Sequence, residues 1–173
     1  TIFYAVGTVP VQLGISLFIS ILLFQKLAGS NIFRIIFFIP YVTPAIASAA
    51  VFKQMFSNRY NAPVNLLLQT FGGNPQQWLF EPRGIFTMLG HNLGINVPEW
   101  AAGPSLALLV IMIHSVWTYV GYDTVIYLAG LGNIPTELLD AAEVDGANKW
   151  EVFRNITFPL LSPTTYFLSL IAI

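Results

Sequence analysis

Long apolar runs dominate this sequence and limit what it can fold into. Residues 2–24 contain no charged side chain, and a helix of that length crosses a hydrocarbon layer of about 30 Å. Two further runs of spanning length cover residues 35–56 and 105–130, and another occupies residues 164–173. The pattern predicts an all-α membrane protein, a polytopic transmembrane helix bundle with three complete spans and the start of a fourth.

Composition supports lipid as the main solvent, because only 9% of the 173 residues are charged and an average soluble domain has roughly 25%. A soluble all-helical protein is the alternative. The apolar runs, however, lack the alternation of apolar and polar residues every three to four positions that would bury only one face of a helix. The net charge of −1 argues against a nucleic-acid-binding role. The absence of cysteine excludes disulfides and thiolate metal sites. Because the chain lacks an initial methionine and stops inside an apolar run, we expect a fragment of a longer protein.

The second run contains two prolines, Pro40 and Pro44, followed by small residues at positions 45 and 47–50. Prolines free backbone carbonyls that lipid cannot satisfy, and small residues let neighbouring helices approach. We therefore expect one kinked span packed inside a bundle. A plain lipid-facing span with incidental prolines is the alternative.

The segment between the second and third runs, residues 57–103, is rich in turn-forming residues and is predicted to lie outside the membrane. A short surface helix is expected over residues 62–71. Asn61 would cap it, Pro63 would lie in its first turn, and Gly72 would end it.

The third run carries two ionisable residues, His114 and Asp123. Such groups inside a span generally face a bundle or a cavity, although a wet position near the interface would also accommodate Asp123. A membrane-embedded enzyme is disfavoured, because nine residues separate the two side chains by roughly 13 Å along a helix. We find neither a metal-ligand cluster nor a nucleophile motif in the sequence.

Charge is concentrated near the C-terminal end, where residues 137–154 hold seven of the fifteen charged residues. Two short helices are predicted there. Thr136 would cap the first and Gly146 would end it in a left-handed turn. Asn148 would cap the second with Glu151 as its capping-box partner, and Pro159 would end it.

These two helices carry groups suited to contact with another protein. The first has small residues at 141 and 142, which allow a close backbone approach, and the second presents Trp150, Phe153 and Ile156. We expect a projection that fits a partner's socket. A solvated hairpin would explain the charges but not the aromatic side chains.

A spaced pattern runs through this segment: Asp140-Ala141-Ala142, three residues, Gly146, nine residues, Ile156, one residue, and Phe158-Pro159. It resembles the EAA loop of the permease subunits of ABC importers. Asp140 stands where that family has glutamate, and Phe158 where it has leucine. The segments 128–135, 145–147 and 153–160, together with 34–40 upstream, resemble the carbohydrate-uptake branch of the maltose and glycerol-phosphate type.

The resemblance implies a fold of the type I ABC importer kind, in which residues 57–103 are extracytoplasmic and residues 131–163 form a cytoplasmic coupling loop. It implies two ABC ATPase subunits that carry ATP and Mg²⁺, a second permease subunit, an extracytoplasmic solute-binding protein, and a bacterial or archaeal inner membrane. The chain would be a transport subunit without a cofactor of its own, and it contains no phosphate-binding loop motif. The residues implied to dock or couple are Asp140, Ala141, Ala142, Asp145, Gly146, Trp150, Phe153, Ile156 and Pro159.

Sugars or related polyols are the substrate class that the resemblance implies. Tyr119, Tyr122 and Asp123 are candidates for the substrate path, because aromatic rings in a wet cavity stack on sugar faces. A permease of another importer branch, for amino acids, peptides or metals, and a channel without partners remain alternatives.

Overall fold

The computed structural model describes residues 2–25, 30–92, 94, 98 and 101–172 of the chain. Within them the regular structure is helical, and the one strand-like feature is an isolated bridge between Gly84 and Ser105. The predicted all-α class is confirmed. Parts of the predicted 57–103 loop, together with Lys26, Thr1 and Ile173, lie outside the described residues.

The described helices follow one another with short connections, and two of them are long. In order they are α1 (Ile2–Phe24), α2 (Ser30–Val42), α3 (Ala45–Met55), α4 (Pro63–Thr70), α5 (Ile85–Asn92), α6 (Leu106–Gly132), α7 (Thr136–Val144), α8 (Lys149–Val152), a π-helical turn (Phe153–Thr157), α9 (Phe158–Leu160) and α10 (Ser162–Ala172). By length and composition, α1 and α6 each suffice to cross a membrane, and α2 with α3 adds a third crossing if the broken pair counts as one.

The second apolar run differs from the prediction, because it is a broken pair of helices and not one kinked helix. The α2 helix begins at Ser30 and continues past Pro40, and the break falls at Thr43 and Pro44. Pro44 has an extended ψ of 128° and caps α3, and a proline disfavours the helical conformation of the residue before it. Of the small residues in α3, only Ser48 is buried in this chain; the alanines are exposed.

The chain divides into two compact units. The loop unit consists of the described residues of Thr1–Thr8 and Val42–Trp117, and the coupling unit those of Val9–Tyr41 and Thr118–Ile173. The helices α1 and α6 each contribute to both. The loop unit contains the segment that follows α3, and the coupling unit contains the charged segment.

The core of the coupling unit combines apolar packing with a polar seam. Its buried apolar residues are Val9, Leu13, Tyr127, Leu131, Leu161 and Leu168. Along α1, Gln12, Ser16 and Ser20 recur every four residues and are all buried, so they form one polar stripe. Ser16 Oγ donates to the carbonyl of Val120 at 3.1 Å. On α6, a side chain at Gly121 would overlap the backbone of Phe37, so α2 and α6 meet backbone to backbone in this unit.

The loop unit contains the predicted surface helix as α4. Pro63 lies in its first turn as expected, and Gly72 follows it with a φ of +79°. The predicted cap is wrong: Ala62 holds the cap position without a side-chain hydrogen bond. The proline that follows already presets the helical backbone, and Asn61 lies one residue too early. The α5 helix was not predicted.

Candidate functional site

The charged segment folds as a helix, a glycine turn and a second helix. Gly146 has a φ of +76°, which L side chains rarely adopt. Its N–H donates to the carbonyl of Glu143 at 3.1 Å, and the N–H of Ala147 donates to that of Ala142 at 2.9 Å. These two bonds form a Schellman motif. The predicted role of Gly146 as the stop of α7 is confirmed.

The caps of the two helices agree with the sequence in one case only. Asn148 Oδ1 accepts from the backbone N–H groups of Trp150 and Glu151 at 3.0 Å, and Glu151 Oε2 accepts from the Asn148 N–H at 2.8 Å. The predicted capping box is therefore present. Thr136 is wrong as the first cap, because Pro135 takes that position and Thr136 is already helical.

Pro159 does not end the second helix as predicted. After α8 the chain forms a π-helical turn, in which the Phe158 N–H donates to the carbonyl of Phe153, five residues earlier. The helical path then continues through α9 and, after a turn at Leu161, into α10. A proline lacks the N–H that an α-helix needs, and the wider turn just before it accommodates that loss.

The predicted docking residues divide into an exposed and an inward-facing set. Exposed are Asp140, Ala141, Asp145, Gly146, Trp150 and Pro159; Ala142 is buried, and Phe153 and Ile156 are half-buried. Val144, which the prediction omitted, is 86% exposed, and Trp150 is 65% exposed. The two helices thus present two large apolar side chains on either side of the turn. We call this exposed set, with Val144, the docking surface.

Behind the docking surface lies a cavity of about 630 Å³ within the coupling unit. It lies between the ends of α1 and α6 and the two short helices, and its lining includes Ile21, Leu131, Glu143, Lys149 and Phe153. The ring of Phe153 lies 5.5 Å from that of Trp150 and 6.0 Å from that of Phe158. Trp150 and Phe158 are both exposed, whereas Phe153, the ring between them, lines the cavity.

The candidate substrate-path residues are only partly brought together. Tyr41, at the end of α2, stacks on Tyr122 with ring centroids 4.7 Å apart and lies 6.0 Å from Tyr119. We call these three residues the tyrosine cluster. The sequence missed Tyr41, because 78 or more residues separate it from its partners.

Asp123 is held by a different contact from that of the tyrosines. It is 4% exposed, and Gln12 Nε2 donates to its Oδ2 at 2.7 Å. This bond directs the carboxylate toward α1 within the coupling unit. Its position suits a link between α1 and α6.

His114, the other ionisable residue of the third run, packs inside the loop unit. Its Nε2 lies 3.1 Å from Ser48 Oγ, and its ring meets the Phe52 ring edge-on at 4.8 Å. Within the described part of the chain, no group of three or more His, Cys, Asp or Glu side chains is placed to hold a metal ion.

Comparison with known proteins gives the family. The profile of the binding-protein-dependent transport system inner membrane component matches residues 10–173. The chain belongs to this family. The sequence resemblance to ABC importer permeases is thereby confirmed, and the chain is a membrane protein of the permease class.

The similar relatives of this permease chain include sugar transport proteins. It is 34% identical over 168 residues to the probable ABC transporter permease protein YesP of Bacillus subtilis, covering 96% of this chain and 47% of YesP. It is 31% identical over 175 residues to the arabinooligosaccharides transport system permease protein AraP of the same organism, covering 100% of this chain and 49% of AraP. The chain spans about half the length of the curated relatives it matches.

A solved structure supports the fold of this permease chain. The crystal structure of a bacterial alginate ABC transporter in complex with an alginate pentasaccharide-bound periplasmic protein matches with a TM-score of 0.72 and 19% identity. The match covers 98% of this chain and 53% of that one. The predicted class, a partial helix bundle of the type I ABC importer kind, is confirmed.

Proposed function

We propose that this chain is part of a permease subunit of an ATP-driven importer for sugars or related polyols. In it, the spans form part of the translocation path and the docking surface couples that path to separate ATPase subunits. The observation that carries the proposal is the capped helix–Gly146–helix unit, which holds Val144 and Trp150 exposed. Exposed large apolar groups on a rigid projection are typical of a protein contact.

The docking surface has the parts that a tight contact needs. A buried tryptophan is among the commonest energetic anchors of interfaces, so Trp150 is expected to anchor it. Asp140 and Asp145 are both exposed and acidic, and they favour a socket with basic residues at its rim. Asp140 is one methylene shorter than the glutamate usual in the family, which shortens its reach.

The assembly that we propose follows from the family. Its description names binding-protein-dependent transport and an inner membrane, which supports a solute-binding protein as partner and a multi-pass position in a bacterial or archaeal cell membrane. Two ATPase subunits would bind Mg²⁺ and ATP, and a second permease subunit would complete the path. In this arrangement residues 57–103 face the outside and residues 131–163 the cytoplasm.

Sugars are favoured as the substrate class by two observations. Relatives at this level of similarity include one named for arabinooligosaccharides, and the tyrosine cluster offers partly exposed rings on which a sugar's C–H face can stack. Asp123 is assigned a positioning role, because its carboxylate bonds to Gln12 and lies buried.

Gly146→Val tests the coupling proposal in proteoliposomes that contain the complete importer. The left-handed turn costs a non-glycine residue about 1–2 kcal/mol, so docking weakens and stimulated ATP hydrolysis and uptake both fall at least fivefold. Gly132→Val is the matched control, because Gly132 has no positive φ and open space at its Cβ. Equal activity of Gly146→Val and the wild type, with normal assembly, would contradict the proposal.

Tyr122→Ala tests the substrate path separately. It removes the ring that stacks on Tyr41, and we expect the half-saturating sugar concentration for uptake to rise about tenfold while ATPase docking persists. Asp123→Asn retains an oxygen that can accept from Gln12, and it should leave that concentration within about twofold. If the two variants reversed these effects, Asp123 and not the tyrosine cluster would contact the sugar.

A further inference from the structure

A second cavity, of about 500 Å³, lies in the loop unit at the end of α3. Its lining includes Lys53 and Gln54 on the last turns of α3, Asn58 and Arg59 on the turn that follows, and Phe80 farther along the chain. We call it the Lys53–Arg59 pocket. Its volume is within the usual range for small-ligand sites, and it shares no residue with the docking surface or the tyrosine cluster.

The charge of this pocket is one-sided. Lys53 and Arg59 contribute two positive charges, and none of the described residues that line the cavity is acidic. The ion pair seen among the described residues is that of Arg83 with Glu81, so neither pocket cation has a described carboxylate within 4.0 Å. Two cations this close in sequence, without a described counterion, favour an anionic ligand.

One fully buried residue, Asn65, fixes the pocket's turn from behind. Its Nδ2 donates to the carbonyl of Arg59 at 3.0 Å and to that of Gln76 at 3.2 Å. Its Oδ1 accepts from the Gln76 N–H at 3.0 Å and from Trp78 Nε1 at 2.8 Å. Asn65 therefore joins the turn that carries Arg59 to the segment that leads to Phe80.

The α3 side of the pocket is connected to the same residues through aromatic rings. The ring of Trp78 meets Phe56 edge-on at 5.6 Å, and Phe56 stacks on Phe52 of α3 at 5.9 Å. The helix that carries Lys53 is thus connected to Trp78 and through it to Asn65. Segments fixed before a ligand arrives reduce the ordering cost of binding, so the backbone that carries the exposed pocket side chains is preorganised.

From this geometry we propose that the Lys53–Arg59 pocket binds an anionic group carried on a hydroxylated carbon skeleton. The two cations would hold the phosphate or carboxylate, the amides of Gln54 and Asn58 would bind hydroxyl groups, and the exposed ring of Phe80 would cover an apolar face. An acidic saccharide and the phosphoglycerol headgroup of an anionic lipid share this chemistry.

The test uses the complete permease in phosphatidylcholine nanodiscs, with D-glucuronate and D-glucose as charged and neutral probes and calorimetry as the measurement. If the ligand is soluble, the wild type binds glucuronate at least tenfold more tightly than glucose. Lys53→Gln with Arg59→Gln removes that preference. Arg83→Gln, which deletes one positive charge from the same segment outside the pocket, retains it.

The lipid source is tested in parallel by native mass spectrometry after exchange into phosphatidylglycerol nanodiscs. If a headgroup is the ligand, the wild type and Arg83→Gln retain phosphatidylglycerol, and the double variant loses at least tenfold of it. Each single variant is measured too, so a double variant that fails to fold does not end the test. The proposal would be overturned if the wild type bound glucuronate and glucose equally and the double variant also retained phosphatidylglycerol. It would also be overturned if Arg83→Gln lost as much ligand binding as the double variant.

Discussion

Asn65 in the loop unit and Asn148 in the coupling unit both hold a turn with one side-chain amide, but they do so at different range. Asn148 bonds to residues two and three positions later and lies exposed. Asn65 is fully buried and joins residues six, eleven and thirteen positions away. The hydrogen bonds of Asn148 are local, and another capping residue could make them. Those of Asn65 connect residues 59, 76 and 78, and we expect them to hold the whole segment in one conformation.

Asn65→Ala should have the largest effect on this comparison. It removes the acceptor of the Gln76 N–H and of the Trp78 indole N–H, both on half-buried residues, at a cost of about 2–3 kcal/mol. Amide exchange over residues 57–80 should accelerate about 30-fold or more, measured by hydrogen–deuterium exchange in nanodiscs. Asn61→Ala, at an exposed neighbour, is the control. Equal exchange in both variants would show that Asn65 is dispensable.

Asn148→Ala should have an intermediate and purely local effect. Loss of a helix N-cap costs about 1 kcal/mol, so exchange at residues 149–152 should rise about fivefold while residues 136–144 stay unchanged. Asn148→Asp keeps a capping oxygen and should match the wild type. Faster exchange that spread through α7 would mean that the two short helices unfold as one unit.

Glu151→Gln should have the smallest effect. Glutamine can also return a side-chain oxygen to the Asn148 N–H, as in other capping boxes, so exchange should change less than twofold. Glu151→Ala removes that acceptor and should approach the effect of Asn148→Ala. If Glu151→Gln behaved like Glu151→Ala, the charge of the carboxylate and not its oxygen would matter.

Local signals explain which features were predictable. The glycine turn at 146 and the capping box at 148 depend on residues within five positions of each other, and both were predicted. Apolar length alone indicated the extents of α1 and α6. The first cap shows the limit of such signals. Pro135 and not Thr136 holds the cap position of α7, because neighbouring positions compete for the same role.

Features that depend on distant residues were not predictable. Tyr41 joins Tyr122 only because α2 packs against α6 in the coupling unit, where Gly121 lets the backbones meet. Asn65 lies within the helix predicted over residues 62–71, and nothing near it in sequence indicates its hydrogen bonds to Arg59, Gln76 and Trp78. The prediction for Pro159 was wrong because the residues before it do not indicate the π-helical turn that accommodates it.

The polar seam of α1 also bears on how the protein enters the membrane. Separated in lipid, Gln12 would lose its acceptor and Asp123 its donor, and an unpaired amide costs roughly 4–8 kcal/mol in a purely apolar solvent. Ser16 is less demanding, because it already bonds to the carbonyl of Gln12. The 2.7 Å bond between Gln12 and Asp123 thus favours insertion of α1 and α6 as partners, even though more than eighty residues of chain separate them.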